Sequence, residues 1–170
     1  EEHQILLTAV WFHDTGFIHR YDDNEKIGAQ IATDNLPSFG YSNDQIKMVK
    51  RLIGATKLPH QPTDLLESII IDADMDMLGR PDFMFSADQL REEERIWKNR
   101  VYTDREWYLY EMKFLANHRY FTTFQSRFRN SGKVQNYLDL IRRMVELKHQ
   151  DYESVRKQYS SIDTQPFRPI

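Results

Sequence analysis

Apolar residues recur along this chain at intervals of three and four, and clean alternation of apolar with polar residues is missing. That spacing marks helices that bury one face, whereas half-buried strands repeat every two residues. The expectation is an all-α fold, a bundle of helices around a shared core. Gln4 to His13 holds Ile5, Leu6, Ala9, Val10 and Phe12 and reads as a mostly buried helix, with Gly16 placed to stop it. Asp23 or Asn24 is positioned to cap a second helix reaching about Asn35, and Leu36-Pro37 to end it. Ser42 with Gln45 three residues on forms a capping box, starting a helix that carries Ile46, Val49, Leu52 and Ile53. Thr63 is expected to cap a helix reaching about Leu78; its Ile69-Ile70-Ile71 run is β-branched, but length and caps favour helix. Ser86 to Val101 is amphipathic, and Thr103 with Glu106 makes a second capping box for a helix to about His118. The last helix is expected over Lys133 to Gln158, with Tyr137, Ile141, Met144 and Val145 inward. Residues 160–170, polar with Pro166 and Pro169, read as an extended tail, leaving residues 1–159 as one helical domain.

Composition supports a packed core and narrows the partners. Of 170 residues, 40% are apolar and 13% aromatic, enough to bury a core. With 23 basic and 26 acidic side chains the formal net charge is -3, which argues against bulk nucleic-acid or anionic-membrane binding. The charge is uneven: residues 1–85 carry 14 acids and 7 bases, residues 86–170 carry 12 acids and 16 bases. An acidic half able to hold a cation beside a basic half able to hold an anion suits a metal–phosphate site; chance asymmetry between two solvated surfaces would look the same. The absence of cysteine excludes a disulfide scaffold and a thiolate metal site, and makes the cytoplasm the expected location. No apolar run approaches the roughly 18 residues of a membrane span, and no signal peptide is visible.

Two short segments carry the chemistry. His13-Asp14 places an imidazole and a carboxylate side by side at a helix end, where both can turn toward one cation. Asp72-Ala73-Asp74-Met75-Asp76 sets three acids between Ile69-Ile70-Ile71 and Met77-Leu78. Aspartates inside an apolar helix cost helix propensity, and an unpaired buried carboxylate costs several kcal/mol, which a bound cation removes. Residues i and i+2 point about 200° apart, so Asp72 and Asp74 cannot both face one site. One is the candidate ligand and the other a supporting acid.

His13-Asp14-Thr15-Gly16-Phe17, then Asn24-Glu25, then Ala55-Thr56-Lys57, then Ile71-Asp72-Ala73-Asp74 through Leu78-Gly79-Arg80, resembles an HD-superfamily metal-dependent phosphohydrolase over about residues 4 to 130. His118-Arg119-Tyr120-Phe121-Thr122 is similar to an uncharacterised bacterial branch of that superfamily. The resemblance implies an HD-like helical bundle with a divalent metal (Mn, Fe, Co, Ni, Zn or Mg), held by His13, Asp14 and the final acid of the motif. Related D-x-D forms use the second acid, which favours Asp74 as ligand with Asp72 as runner-up. The family's first His lies on a preceding helix; His3, ten positions before His13, is too close to serve. That ligand is expected upstream of Glu1. Asn24 stands where binuclear members often have His, so one metal is expected.

The implied reaction is hydrolysis of a phosphoester, of a nucleotide or another small molecule, by metal-bound water. Asp14 or Glu25 would take the water's proton, and Lys57 would offset phosphate charge. Arg80, His118 and Arg119 are candidate substrate contacts, Arg80 alternatively pairing with Asp76. His19, His60 and His149 are taken as loop or surface residues. The alternative is a catalytically inactive sensor module that binds a nucleotide or metabolite; a diiron oxygenase would need more His near the motif. A homo-oligomer is compatible with either reading.

Overall fold

The computed structural model describes residues 1–160, and its described residues form seven α-helices joined by turns of 3-10 helix, with no strand among them. In order they are α1 (Glu2–Phe12), α2 (Asn24–Asn35), α3 (Asn43–Ala55), α4 (Leu65–Asp74), α5 (Phe83–Trp97), α6 (Asp104–Asn117) and α7 (Thr123–Ser160). The expected all-α class is therefore what the chain adopts. None of these helices is long and apolar enough to cross a membrane. The extended tail expected over residues 160–170 lies outside the described residues.

Two apolar clusters organise the helices. The first joins α1, α2, α3 and α4 through Ile5, Ala9, Ala32, Val49, Leu52, Ile53, Ile70 and Ile71. The second joins the turn after α4 to α5, α6 and α7 through Leu78, Phe83, Ala87, Trp107, Leu115 and Leu140. The β-branched run Ile69-Ile70-Ile71 is helical because Ile70 and Ile71 are buried against the first cluster, which outweighs a propensity difference of a few tenths of a kcal/mol per residue. Both capping boxes form: Ser42 accepts from the Gln45 backbone N–H and Thr103 from that of Glu106, with both reciprocal side-chain bonds present. Each such cap is worth about 1 kcal/mol.

Several boundaries differ from the expectation. Gly16 does not end α1; it sits in a 3-10 turn, Thr15–Ile18, where an added Cβ would lie 1.9 Å from the Asn24 carbonyl oxygen. Its lack of a side chain lets the start of α2 rest on the turn. Asp23 precedes α2 in the left-handed region (φ 57) and gives no side-chain cap, because its carboxylate is taken by Arg20 and Lys57. The cap of α4 is Asp64, which accepts from the Glu67 N–H, while Thr63 donates to the Glu67 carboxylate. α4 stops at Asp74, four residues before the expected Leu78, and continues as the 3-10 turn Met75–Gly79.

The largest difference is α7, which begins at Thr123, ten residues before the expected Lys133. Gly132 lies inside this helix because it meets the backbone of Gly79: a Cβ on Gly132 would lie 2.1 Å from the Gly79 oxygen. The buried Asn136 side chain then donates to the carbonyls of Leu78 and Arg80, both at 2.9 Å. Tyr137 and Met144 are partly buried as expected, but Ile141 and Val145 are exposed. The helix turns only one stripe toward the second cluster, and those two residues fall outside it.

Candidate metal centre

α1 ends at Phe12, and His13 continues its helical geometry for one residue (φ -59, ψ -37) while its backbone N–H bonds Ala9. Asp14 then breaks the helix (φ -99, ψ 0), and the Thr15 hydroxyl donates back to the Phe12 carbonyl at 2.7 Å. Gly28 of α2 packs on this turn so closely that a Cβ there would lie 2.6 Å from the Phe12 oxygen and 3.1 Å from that of His13. The His13-Asp14 turn is thus clamped between its own helix and α2. Asp74 arrives on the last residue of α4, which packs against α1.

The three residues singled out as metal ligands converge. His13 Nε2 lies 3.1 Å from Asp14 Oδ2 and 3.3 Å from Asp74 Oδ1. Their ligand atoms all fall within 4.8 Å of one another, and among the described residues no other group of three His, Cys, Asp or Glu side chains does so. Around a divalent transition ion at about 2.1 Å, neighbouring ligand atoms stand roughly 3.0–3.4 Å apart in octahedral or tetrahedral order. The two nitrogen–oxygen separations fall inside that range, so His13 stands toward each carboxylate as a shared cation would require.

The electrostatics point the same way. His13 Nδ1 lies 2.7 Å from the Val10 carbonyl, which can only accept, so Nδ1 carries the proton and Nε2 faces the carboxylates. With a proton rather than a metal between them, hydrogen bonds to Asp14 and Asp74 lift the His13 pKa to about 10, against burial. Asp74 also sits at the C-terminal end of a helix, where the dipole already disfavours negative charge. α1 ends at the same place, so two helix termini and two carboxylates add their negative potential at one imidazole. His13 and Asp74 are largely buried, with side chains 18% and 23% exposed, while Asp14 at 57% opens the group to solvent.

Asp72 has a different role from its runner-up place as ligand. It is buried and accepts three hydrogen bonds, from the Phe121 N–H (2.8 Å), the Thr122 N–H (2.7 Å) and the Thr122 hydroxyl (2.7 Å). Thr122 in turn accepts from the Gln125 N–H, so Asp72 anchors the start of α7. The two acids point apart as their spacing demands, Asp74 to α1 and Asp72 to α7. Asp76, the third acid, is held by Arg129 (2.6 and 3.0 Å) and Gln125 (2.5 Å), and its pKa is lowered chiefly by the Arg129 hydrogen bond. Arg80 therefore does not pair with Asp76: it takes Asp82 through two bonds, at 2.9 and 2.6 Å.

The remaining candidates are placed around these elements. Asn24 is buried at the start of α2, and with its amide turned to donate it meets Glu25 at 3.1 Å. Glu25 is partly buried in the first turn of α2, the helix that clamps the His13-Asp14 turn. Lys57 is exposed and bridges to Asp23 at 2.5 Å, tying the loop after α3 to the start of α2. His118 is a packed aromatic residue: it stacks on Phe114, meets Tyr120 edge-on at 4.6 Å, and burial lowers its pKa to about 4. Arg119 is exposed and lies over the Phe121 ring at 5.2 Å. His60, expected at the surface, is partly buried and contacts the Thr56 carbonyl at 3.0 Å. A cleft of about 410 Å³ between α4 and the start of α7, floored by Asp72, Thr122 and Gln125 and walled by Leu65, Ile69 and Phe124, lies on the Asp72 side of α4, away from Asp74.

Val10, Gly28, Gln125 and Arg129 were not singled out from the sequence. Val10 contributes only a carbonyl, which any residue has, and Gln125 and Arg129 meet Asp76 across about fifty positions, beyond any local pattern. Compared with known proteins, the chain matches no family model, no curated protein and no solved structure.

Proposed function

We propose that this chain is a divalent-metal-dependent phosphohydrolase of HD type, with His13, Asp14 and Asp74 holding the ion. The observation that carries the reading is the convergence of those three side chains, with His13 Nδ1 engaged by Val10 and Nε2 left for the ion. When bound, such an ion lowers the pKa of its water toward about 7 and offsets charge on a phosphoryl oxygen. Three protein ligands leave coordination positions for water and substrate, as in catalytic rather than closed structural sites.

Each side chain has a task in this reading. His13 supplies its Nε2 lone pair and is kept in that tautomer by Val10. Asp74 supplies a half-buried oxygen from the rigid end of α4. Asp14, the most open of the three, both ligates and accepts a proton at its free oxygen; Glu25 is the second candidate acceptor. Lys57 and Arg80 already satisfy Asp23 and Asp82, so either must exchange partners to meet a phosphate. A small phosphorylated molecule, with nucleotides first among them, is the substrate class. The same engaged cations favour a second reading, a sensor module that binds a nucleotide or metabolite without turnover.

The test is metal content by mass spectrometry, followed by a phosphoester panel with Mn, Fe, Co, Ni, Zn and Mg. The expected result is about one ion per chain and metal-dependent release of phosphate. Asp74→Ala is expected to lower both ion affinity and rate by more than the roughly 10–100-fold that loss of a residue supporting a ligand costs. Metal binding and full activity retained in Asp74→Ala would remove the assignment. Ligand binding without hydrolysis in any metal would select the sensor.

A further inference from the structure

α7 is a 38-residue helix, and it carries two apolar stripes, of which the described residues of the chain cover one. Asn136 and Leu140 are buried, and Tyr137, Met144 and Leu147 partly so, on the side toward α6 and the turn after α4. Val134, Leu138, Ile141, Val145 and Tyr152 form the other stripe and remain 37–64% exposed. At 100° per residue these five fall within an arc of about 60°, centred roughly 130° from Leu140.

Their spacing is more regular than a surface needs. From Val134 the steps run four, three, four, three, four: Val134, Leu138, Ile141, Val145, Lys148, Tyr152. That is the heptad seam of a two-stranded coiled coil, sustained between β-branched, Leu and Tyr side chains with one interruption. From Lys148 to Lys157 every residue whose burial is described, Glu153 apart, is exposed, so among the described residues this length of helix gains little apolar packing. An unpacked helical extension is marginal in water, and its order depends on a partner.

We propose that this stripe is an interface with a second copy of the same chain, packed antiparallel about Arg143. The composition of the helix suits self-association: residues 139–157 hold four acids and five bases, so two copies meet without a large net repulsion. Lys148 decides the direction. In a parallel, in-register pair it would face Lys148 of the other copy across the seam, like against like. In the antiparallel pair Lys148 faces Leu138, Ile141 faces Val145, and Val134 faces Tyr152, each layer twice. Of the two basic residues at the centre, Arg143 falls on the opposite face of the helix and Arg142 is paired with Asp139 of its own helix at 2.8 Å.

Sedimentation equilibrium of the full chain, from the micromolar to the hundred-micromolar range, tests this with two double variants. The wild type is expected to pass from monomer to dimer. Ile141→Lys with Val145→Lys sets lysine against lysine in the antiparallel seam and is expected to remain monomeric, with thermal unfolding still cooperative. Ile141→Glu with Val145→Lys sets opposite charges against each other and is expected to restore the dimer, which a merely misfolded variant could not do. A wild type that is monomeric throughout, or a dimer that survives the two lysines, would overturn the proposed interface. Loss of the dimer in both double variants would overturn the antiparallel register. None of these positions touches His13, Asp14 or Asp74, so the outcome is independent of the proposed reaction.

Discussion

The two apolar clusters treat their buried polar groups differently. Around the N-terminal cluster, Glu67 is matched by Arg51 and Thr63, and Thr56 by the Ile53 carbonyl. The polar group left under tension there is the His13–Asp14–Asp74 trio, crowded with negative potential and partly open to water. In the C-terminal cluster Trp107 Nε1, Glu111 Oε1 and His118 Nε2 are buried with no hydrogen-bond partner, among the described residues. There the aromatic rings take the load: Trp107 stacks on Tyr110 and packs against Tyr102, both at 5.3 Å. The contrast is clearest in two histidines. His13 is pushed up to about 10 chiefly by the hydrogen bonds it donates to two carboxylates; His118 is pushed down to about 4 by burial and Lys133. In one half negative potential gathers at an imidazole; in the other, burial disfavours the charged forms of Glu111 and His118.

Asp72 joins the halves, and removing it gives the largest expected loss. Asp72→Ala leaves two backbone N–H groups and the Thr122 hydroxyl without their acceptor at the start of α7. A destabilisation of about 3–5 kcal/mol is expected by urea unfolding, since bonds to a charged acceptor are worth ~1.5–3 kcal/mol each and losses overlap. Asp74→Ala, two residues away, is expected to change stability by less than about 1 kcal/mol. Equal losses in the two variants would erase the distinction between anchor and ligand.

Next in size is Gly132→Ala. Its Cβ must displace the Gly79 backbone, and a loss of up to about 3 kcal/mol is expected, the range for overpacking a tight contact. A melting temperature equal to wild type would show that α7 and the turn after α4 separate freely.

The C-terminal cluster should answer to pH. Burial raises the Glu111 carboxyl from 4.5 to about 7, with Glu94 and Asp88 adding to the effect. Because its folded pKa is raised, the unfolded chain ionises first, and stability falls as pH rises from 4.5 to 7. Glu111→Gln is expected to remove that fall and to stabilise the protein by roughly 2 kcal/mol at pH 8. His118 acts with the opposite sign: its folded pKa is lowered, so its contribution is complete above 6.5 and is lost as pH falls toward 4. Thermal melts of wild type and Glu111→Gln across this range check both signs; an unchanged pH profile would mean that Glu111 ionises freely in the fold.

The smallest effect is expected at Lys57. Its bridge to Asp23 is exposed and screened by solvent, and Lys57→Ala should leave the melting temperature close to that of the wild type. A hundredfold loss of rate in that variant, with stability intact, would instead place Lys57 at the substrate.

Much of the helical order was legible before the structure. Ser42/Gln45 and Thr103/Glu106 are local signals: a hydroxyl and an acid or amide three residues apart act on backbone groups within one turn. The burial of Ile46, Val49, Leu52 and Ile53 followed from spacing alone. The start of α7 did not, because Ser131-Gly132 looks like a break until Gly79 is known to lie against it. Nor did the exposure of Ile141 and Val145, since period 3.6 finds apolar stripes without saying which of two the core will use.

The sequence by itself determined that the chain is helical, where most of its helices begin, and that Asp72 and Asp74 must part company, because these follow from backbone geometry within a few residues. Only the tertiary structure decided which acid faces His13 and which holds α7. It also decided that Asp76 belongs to Arg129, that Gly28 and Gly132 are close-packing points, and that one stripe of α7 stays exposed among the described residues. Those outcomes depend on surfaces brought together from about fifteen to sixty positions apart, and a spacing along one helix holds no record of what will lie across from it.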